Sequence, residues 1–144
     1  GAKELPITDT RMTRFWITLQ HGVEFVISCL DMMRGGEIFI PTIPSMSIVD
    51  VAEAMAPEIN HRIVSIRPGE KLHEAMITED DSRNTVELAD RYIIEPNPID
   101  SPAYIKRSGA SPVKDEFRYS SDSNQKWLDA KSLRELITQS KSLA

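Results

Sequence analysis

The chain has 144 residues, 40% hydrophobic and 27% charged, with 17 Lys and Arg against 22 Asp and Glu for a net charge of -5. That length fits one ordinary soluble domain, no apolar run approaches the roughly 20 residues that cross a bilayer, and the single cysteine, Cys29, excludes a disulfide scaffold or a multi-cysteine metal site. The acidic balance argues against a nucleic-acid duplex as main partner, and Gly1 to Asp9 lacks the basic and apolar segments of a secretory signal, so the cytoplasm is the expected compartment.

A strand at Leu5 to Thr8 has no partner upstream, and the chain runs from it straight into a dense motif, so the N-terminus reads as cut. Phe15 to Ile17, aromatic and β-branched, predicts a strand. Thr18 then caps a helix in which Leu19, Val23, Val26, Ile27, Leu30 and Met33 recur at spacings of three and four, with Gly35-Gly36 ending it. Glu37 to Ile40 predicts a strand stopped by Pro41, and Pro44-Ser45-Met46 a turn. Ser47 with Asp50 resembles a capping pair for a second helix with Ile48, Val51, Ala52 and Met55 on its apolar face, stopped at Pro57.

His61 to Ile66 predicts a strand, Pro68-Gly69 a turn, and Leu72 to Met76 a helical turn. Thr78 to Asn84 is polar and acidic. Thr85 to Leu88 fits helix or strand, and Arg91 to Ile94 a strand. Pro96, Pro98 and Pro102 mark an irregular connection, and Ser108 to Asn124, rich in serine, a surface loop. Leu128 to Ile137 reads as a closing helix with Asp129 near its start, which gives the C-terminus a natural look. Alternating short strands and helices predict an α/β or α+β layer too small for a full doubly wound sheet.

The residues exclude several chemistries. His21, His61 and His73 have no second ligand at i+3 or i+4, and His73-Glu74 breaks the zinc-protease pattern at Ile77, so no metal site is expected. Cys29 lies on the apolar helix, where cysteine acts as a small buried hydrophobe rather than a nucleophile. The glycines at 1, 22, 35, 36, 69 and 109 form neither G-x-G-x-x-G nor a P-loop. Tyr92, Tyr104 and Tyr119 are followed four residues on by Pro, Ser and Ser, so the Tyr-Lys pair of short-chain dehydrogenases is absent. Anion binding remains. Arg14 and Arg67 could fork across phosphate oxygens, Arg67 on a rigid Pro-Gly turn, and Glu70 could accept from a sugar hydroxyl. On the residues alone, structural ion pairs with the many carboxylates are the commoner role for both arginines.

Five motifs follow one another in a familiar order: Pro6-Ile7-Thr8-Asp9, Met12-Thr13-Arg14-Phe15-Trp16-Ile17, Gly35-Gly36-Glu37-Ile38-Phe39-Ile40-Pro41, Ile43-Pro44-Ser45-Met46, and Ile66-Arg67-Pro68-Gly69-Glu70-Lys71-Leu72-His73-Glu74. They resemble the C-terminal part of the inverting UDP-N-acetylglucosamine 4,6-dehydratases. Phe117 to Asp122, Asn124 and Trp127-Leu128 resemble the closing segment of that family, with a thin stretch from about 100 to 114. The resemblance implies an α/β fold, the C-terminal substrate-binding portion of an extended short-chain dehydrogenase/reductase lacking most of the Rossmann domain. It divides the chain into residues 1–99, which bind substrate, and residues 100–144, an irregular extension with a closing helix.

The activity implied is that of a lyase that makes UDP-2-acetamido-2,6-dideoxy-β-L-arabino-hex-4-ulose for pseudaminic acid and surface glycans, including flagellin glycosylation. NADP and the catalytic Tyr, Lys and Asp would belong to the N-terminal part, so the chain alone would be inactive. The implied partners are a UDP-sugar and further copies of the full-length enzyme, with no nucleic acid and no membrane. By the same resemblance Arg14 and Arg67 approach the pyrophosphate, Glu70 contacts the ribose, and Met12 and Thr13 line the nucleotide pocket, with Thr8 and Asp9 nearby. Ser47 departs from the pattern, which has lysine there. Another nucleotide-sugar epimerase or dehydratase for capsule or polysaccharide biosynthesis, or a non-catalytic oligomerisation module, stay open as alternatives. The Glu70-Lys71-Leu72-His73-Glu74 continuation favours the dehydratases. Alone, the chain would expose the apolar surface of its first helix, and it is expected to be poorly stable or to self-associate.

Overall fold

A computed structural model describes residues 3–141, with side chains to residue 138. Among these described residues, ten strands and three α-helices follow in the order β1 (Glu4–Ile7), β2 (Thr13–Phe15), α1 (Leu19–Leu30), β3 (Ile38–Pro41), β4 (Ser45–Ser47), α2 (Ile48–Met55), β5 (Asn60–Ile63), β6 (Ala75–Ile77), β7 (Thr85–Glu87), β8 (Arg91–Ile94), β9 (Ser111–Pro112), β10 (Tyr119–Ser120) and α3 (Ala130–Lys141). A 3-10 turn, Asp81–Asn84, precedes β7. The chain is thus a mixed α/β structure with small sheets, as the alternation of elements suggested. It forms two compact units. The first takes the chain up to Gln20, Ile43–Glu74 and the chain from Ser120 onward; the second takes His21–Thr42 and Ala75–Tyr119.

In the first unit β1 pairs with β5 in parallel, Glu4 opposite Asn60 and Ile7 opposite Ile63. The first strand therefore does have a partner, found downstream. β2 pairs antiparallel with β4, Arg14 opposite Met46. Two expectations shift here. The strand read at Phe15 to Ile17 lies two residues earlier, and Ser45-Met46 is strand rather than turn. Burial explains both: Met46 is fully buried and centres a core with Ala54 and Leu133, against which Trp16, Val51, Leu128 and Ile137 pack. Ser47 ends β4 and caps α2, its Oγ accepting from the Asp50 amide at 3.0 Å. A lysine there could not satisfy that amide, since an ammonium offers no acceptor. Asp129 caps α3 the same way, taking the Ser132 amide at 2.7 Å.

The second unit is built on an antiparallel sheet in the order β3-β8-β7-β9. Ile93 and Val86, opposite each other, are fully buried. Tyr92 stacks at 5.1 Å on both Phe117 and Tyr119. Burial, followed by the Glu87 carboxylate, pushes its phenol up to about 12. The loop expected over 108–124 therefore includes short strands, and Tyr119, Ser120 and Ser121 are buried. Helix α1 contributes no buried residue. Cys29 is consequently only half-buried, its Sγ accepting from Arg91 Nη1 at 3.3 Å. Arg91 also donates to Ser28 Oγ at 2.8 Å, pairs with Asp90, and lies 4.8 Å over the Phe25 ring.

Candidate functional site

Strand β5 ends where the Val64 amide donates to the Ile7 carbonyl at 2.9 Å. The strand expected through Ile66 stops there because Ser65 takes a left-handed backbone, φ 69°. The chain then turns through Arg67-Pro68-Gly69-Glu70. Proline presets the first central position, Gly69 supplies φ 82° at the second, and the Glu70 amide donates to the Arg67 carbonyl at 3.1 Å. That combination defines a type II turn. The Glu70 carboxylate closes it a second time: Oε2 accepts from the Arg67 amide at 3.1 Å. Arg67 is exposed, and among the described residues only its backbone is hydrogen-bonded. A cationic fork thus stands on a turn closed from both sides. Glu70 keeps Oε1 for another donor.

Arg14 is placed differently. From β2 its guanidinium donates to the carbonyls of Thr13 at 2.7 Å, Leu72 at 3.1 Å and Lys71 at 2.9 Å. Its Nε lies 3.7 Å from Glu74. Three of its five donors are therefore held by backbone oxygens, Nη2 also reaches Met12 Sδ at 3.8 Å, and the Nε edge already faces the Glu74 carboxylate. Because Lys71 and Leu72 adjoin the Arg67 turn in sequence, the two arginines are joined through four residues of chain.

Thr13 is buried and links three segments. Its Oγ1 lies 2.8 Å from His73 Nδ1 and 2.7 Å from Ser121 Oγ. Its amide donates to the Leu72 carbonyl at 3.2 Å. Met12 is buried beside it, its carbonyl accepting from Ile48 at 2.9 Å. Leu72 to Met76, read as a helical turn, does not form one: outside partners hold the Leu72 and Glu74 backbone groups, and Ala75–Ile77 is strand β6. Asp9 is occupied by Arg11 through a two-pronged pair of 2.8 and 3.0 Å, which holds its carboxyl down at about 2. His73 and Ser121 were not singled out as site residues. Ser121 lies 108 residues from Thr13, and no local pattern joins them.

Among the described residues no group of His, Cys, Asp and Glu could hold a metal ion, and no helix is long and apolar enough to cross a membrane. Nor do the described residues fit a dinucleotide. Such a cradle needs glycines between a strand and a helix. The β2–α1 link is Trp16-Ile17-Thr18, and β4 runs into α2 with no link at all. The left-handed glycines, 35, 36, 69 and 109, sit elsewhere.

The model of the polysaccharide biosynthesis protein family matches residues 1–96, and the chain belongs to that family. Within it, the chain is 54% identical over 143 residues to the UDP-N-acetylglucosamine 4,6-dehydratase (inverting) of Campylobacter jejuni, a match covering 95% of this chain and 43% of that protein. This identity bears out the resemblance read from the motifs. A UDP-glucose 4-epimerase of Rickettsia canadensis is 32% identical over 96 residues, 64% of this chain and 28% of its own length. Among solved structures, the X-ray structure of Pen from Bacillus thuringiensis superposes with a TM-score of 0.78 at 32% identity, covering 96% of this chain and 42% of that one. The chain spans less than half the length of these relatives.

Proposed function

We propose that the chain forms the UDP-sugar-binding part of an inverting UDP-N-acetylglucosamine 4,6-dehydratase. The enzyme would act as a cytoplasmic, homo-oligomeric lyase on the route to pseudaminic acid and the surface glycans, flagellin among them, that carry it. One observation carries this reading: an exposed Arg67 guanidinium on a doubly closed turn, in a chain 54% identical over 95% of its length to an enzyme of that name. Arg67 forks across the pyrophosphate oxygens, and Arg14 adds its positive charge from the adjoining segment. Glu70 Oε1 accepts a ribose hydroxyl, and Met12 and Thr13 line the pocket floor. NADP supplies the hydride chemistry of such enzymes. The residues here do not fit it, so it is held with the catalytic Tyr and Lys by the rest of the enzyme. The chain alone then turns over no UDP-N-acetylglucosamine.

The test is Arg67→Ala in the complete enzyme, with UDP affinity measured by calorimetry. Loss of a charge-assisted phosphate contact weakens UDP at least tenfold, about 1.4 kcal/mol. An unchanged affinity removes Arg67 from the site.

A further inference from the structure

Residues 71–74 are fixed one after another to two distant segments of the first unit. Arg14 takes the carbonyls of Lys71 and Leu72 at 2.9 and 3.1 Å. Thr13 Oγ1 meets His73 Nδ1 at 2.8 Å. Ser121 takes both backbone groups of Glu74: its amide donates to the Glu74 carbonyl at 2.8 Å, and its Oγ accepts from the Glu74 amide at 3.0 Å. Ser121 Oγ also donates toward Thr13, whose carbonyl lies at 3.1 Å and whose Oγ1 at 2.7 Å. With neutral His73 protonated at Nε2, one direction satisfies the whole chain. The Glu74 amide donates to Ser121 Oγ, Ser121 to Thr13 Oγ1, and Thr13 to His73 Nδ1. Ser121 is fully buried and Thr13 nearly so, so loss of either hydroxyl leaves a buried partner unsatisfied.

Upstream, the Arg67 turn is tied down at Val64 by β1. Downstream, nothing in the turn itself fixes where Lys71 leaves it. We infer that Ser121, acting with Thr13 through residues 71–74, is a positioning residue for the Arg67 turn, setting where its guanidinium meets the phosphates. The inference rests on the binding role proposed for Arg67 and adds the C-terminal segment to the site.

The experiment combines amide exchange and UDP titration on the full chain and the complete enzyme for Ser121→Ala, Thr13→Val, Thr13→Ser and Arg67→Ala. Ser121→Ala and Thr13→Val should speed exchange of the Glu70 and Glu74 amides at least tenfold, leave α2 protected, and weaken UDP about tenfold. Thr13→Ser, which keeps the hydroxyl, should leave amide exchange as in wild type. Combined with Arg67→Ala, Ser121→Ala should add no further loss, since both act on one contact. Unchanged exchange in both hydroxyl-deleting variants overturns the inference whether or not UDP binds. So does faster exchange with unchanged UDP affinity while Arg67→Ala still weakens binding. If Arg67→Ala itself leaves UDP affinity unchanged, the binding reading fails and takes this inference with it, a result distinct from the other two. If Ser121→Ala unfolds the chain, Thr13→Val carries the same test.

Discussion

Replacing Arg107 by methionine should remove a large part of the stability of the second unit. In the sheet Ile38 lies opposite Ile94 in antiparallel register, so Glu37 and Glu95, one step beyond, come side by side. Like charges so placed repel, and both are buried, with side chains 3% and 8% exposed. Arg107, 4% exposed, resolves the conflict. Its Nε donates to Glu95 Oε1 at 2.5 Å, its Nη2 to Glu37 Oε1, and its Nη1 to the Met32 carbonyl at 2.7 Å. Removing one partner of a buried ion pair costs about 3–5 kcal/mol. Two carboxylates depend on this one cation, so the upper end of that range is expected, against a typical domain stability of about 5–15 kcal/mol.

The assay is urea unfolding followed by far-UV circular dichroism, because Trp16 and Trp127 both report on the first unit. A second handle is acid. Burial alone would raise the Glu37 carboxyl, but the amides of Gly35 and Arg34 and the Arg107 guanidinium more than offset it and hold it at about 2, against an ordinary 4.5. A depressed carboxylate contributes stability that is fully present above the unfolded value and lost as pH falls through the folded one. That contribution is therefore lost between about pH 4.5 and 2. Arg107→Met should reduce this acid slope only in part, since the backbone amides still hold Glu37 down, and adding Glu95→Gln, which removes the like charge beside Glu37, should restore part of the lost stability. A single variant within about 1 kcal/mol of wild type would refute the reasoning.

Gly69→Ala should cost about 1 kcal/mol from the left-handed backbone alone, since no atom lies within 4 Å of the added carbon. Gly69→Asn should lose less, and equal unfolding midpoints for all three proteins would contradict a type II turn. Helix α1 exposes Leu19, Val23, Val26, Ile27 and Leu30, an apolar stripe at helical spacing. Sedimentation of the chain should show association that grows with concentration, and Val26→Glu with Leu30→Glu should return it to monomer. A wild-type chain that stays monomeric throughout would sink that expectation.

What the amino-acid sequence disclosed was local. The Ser47 cap and the Pro68-Gly69 turn depend on residues a few positions apart and sit where their patterns placed them, as does β8; the first helix starts at Leu19 as expected but ends at Leu30, short of Met33 and the Gly35-Gly36 stop. The misplaced elements depend on distant partners. Proline and serine at 44 and 45 spell a turn, yet Ser45 is drawn into a strand by β2 and by the segment at Trp127, which it bridges in parallel. The helical pattern at 72–76 loses to Arg14 and Thr13, which hold its backbone groups. The serine-rich stretch before Asn124 is polar in composition but buried at Ser120 and Ser121; the Ser120 hydroxyl is met locally by Asp122, and that of Ser121 by Thr13 across the fold. The turn that carries Arg67 and Glu70 was therefore legible, and the buried hydroxyls that brace its neighbours were not.

The central claim is a preformed place for the uridine diphosphate of a nucleotide sugar on this chain. Calorimetric titration of UDP and UDP-N-acetylglucosamine into the purified chain, with NADP as the control, tests it directly. The account predicts measurable binding of both uridine ligands, weakened by Arg67→Ala, and none of NADP. Binding of NADP in preference to the uridine ligands, or binding of UDP that Arg67→Ala leaves untouched, would contradict it.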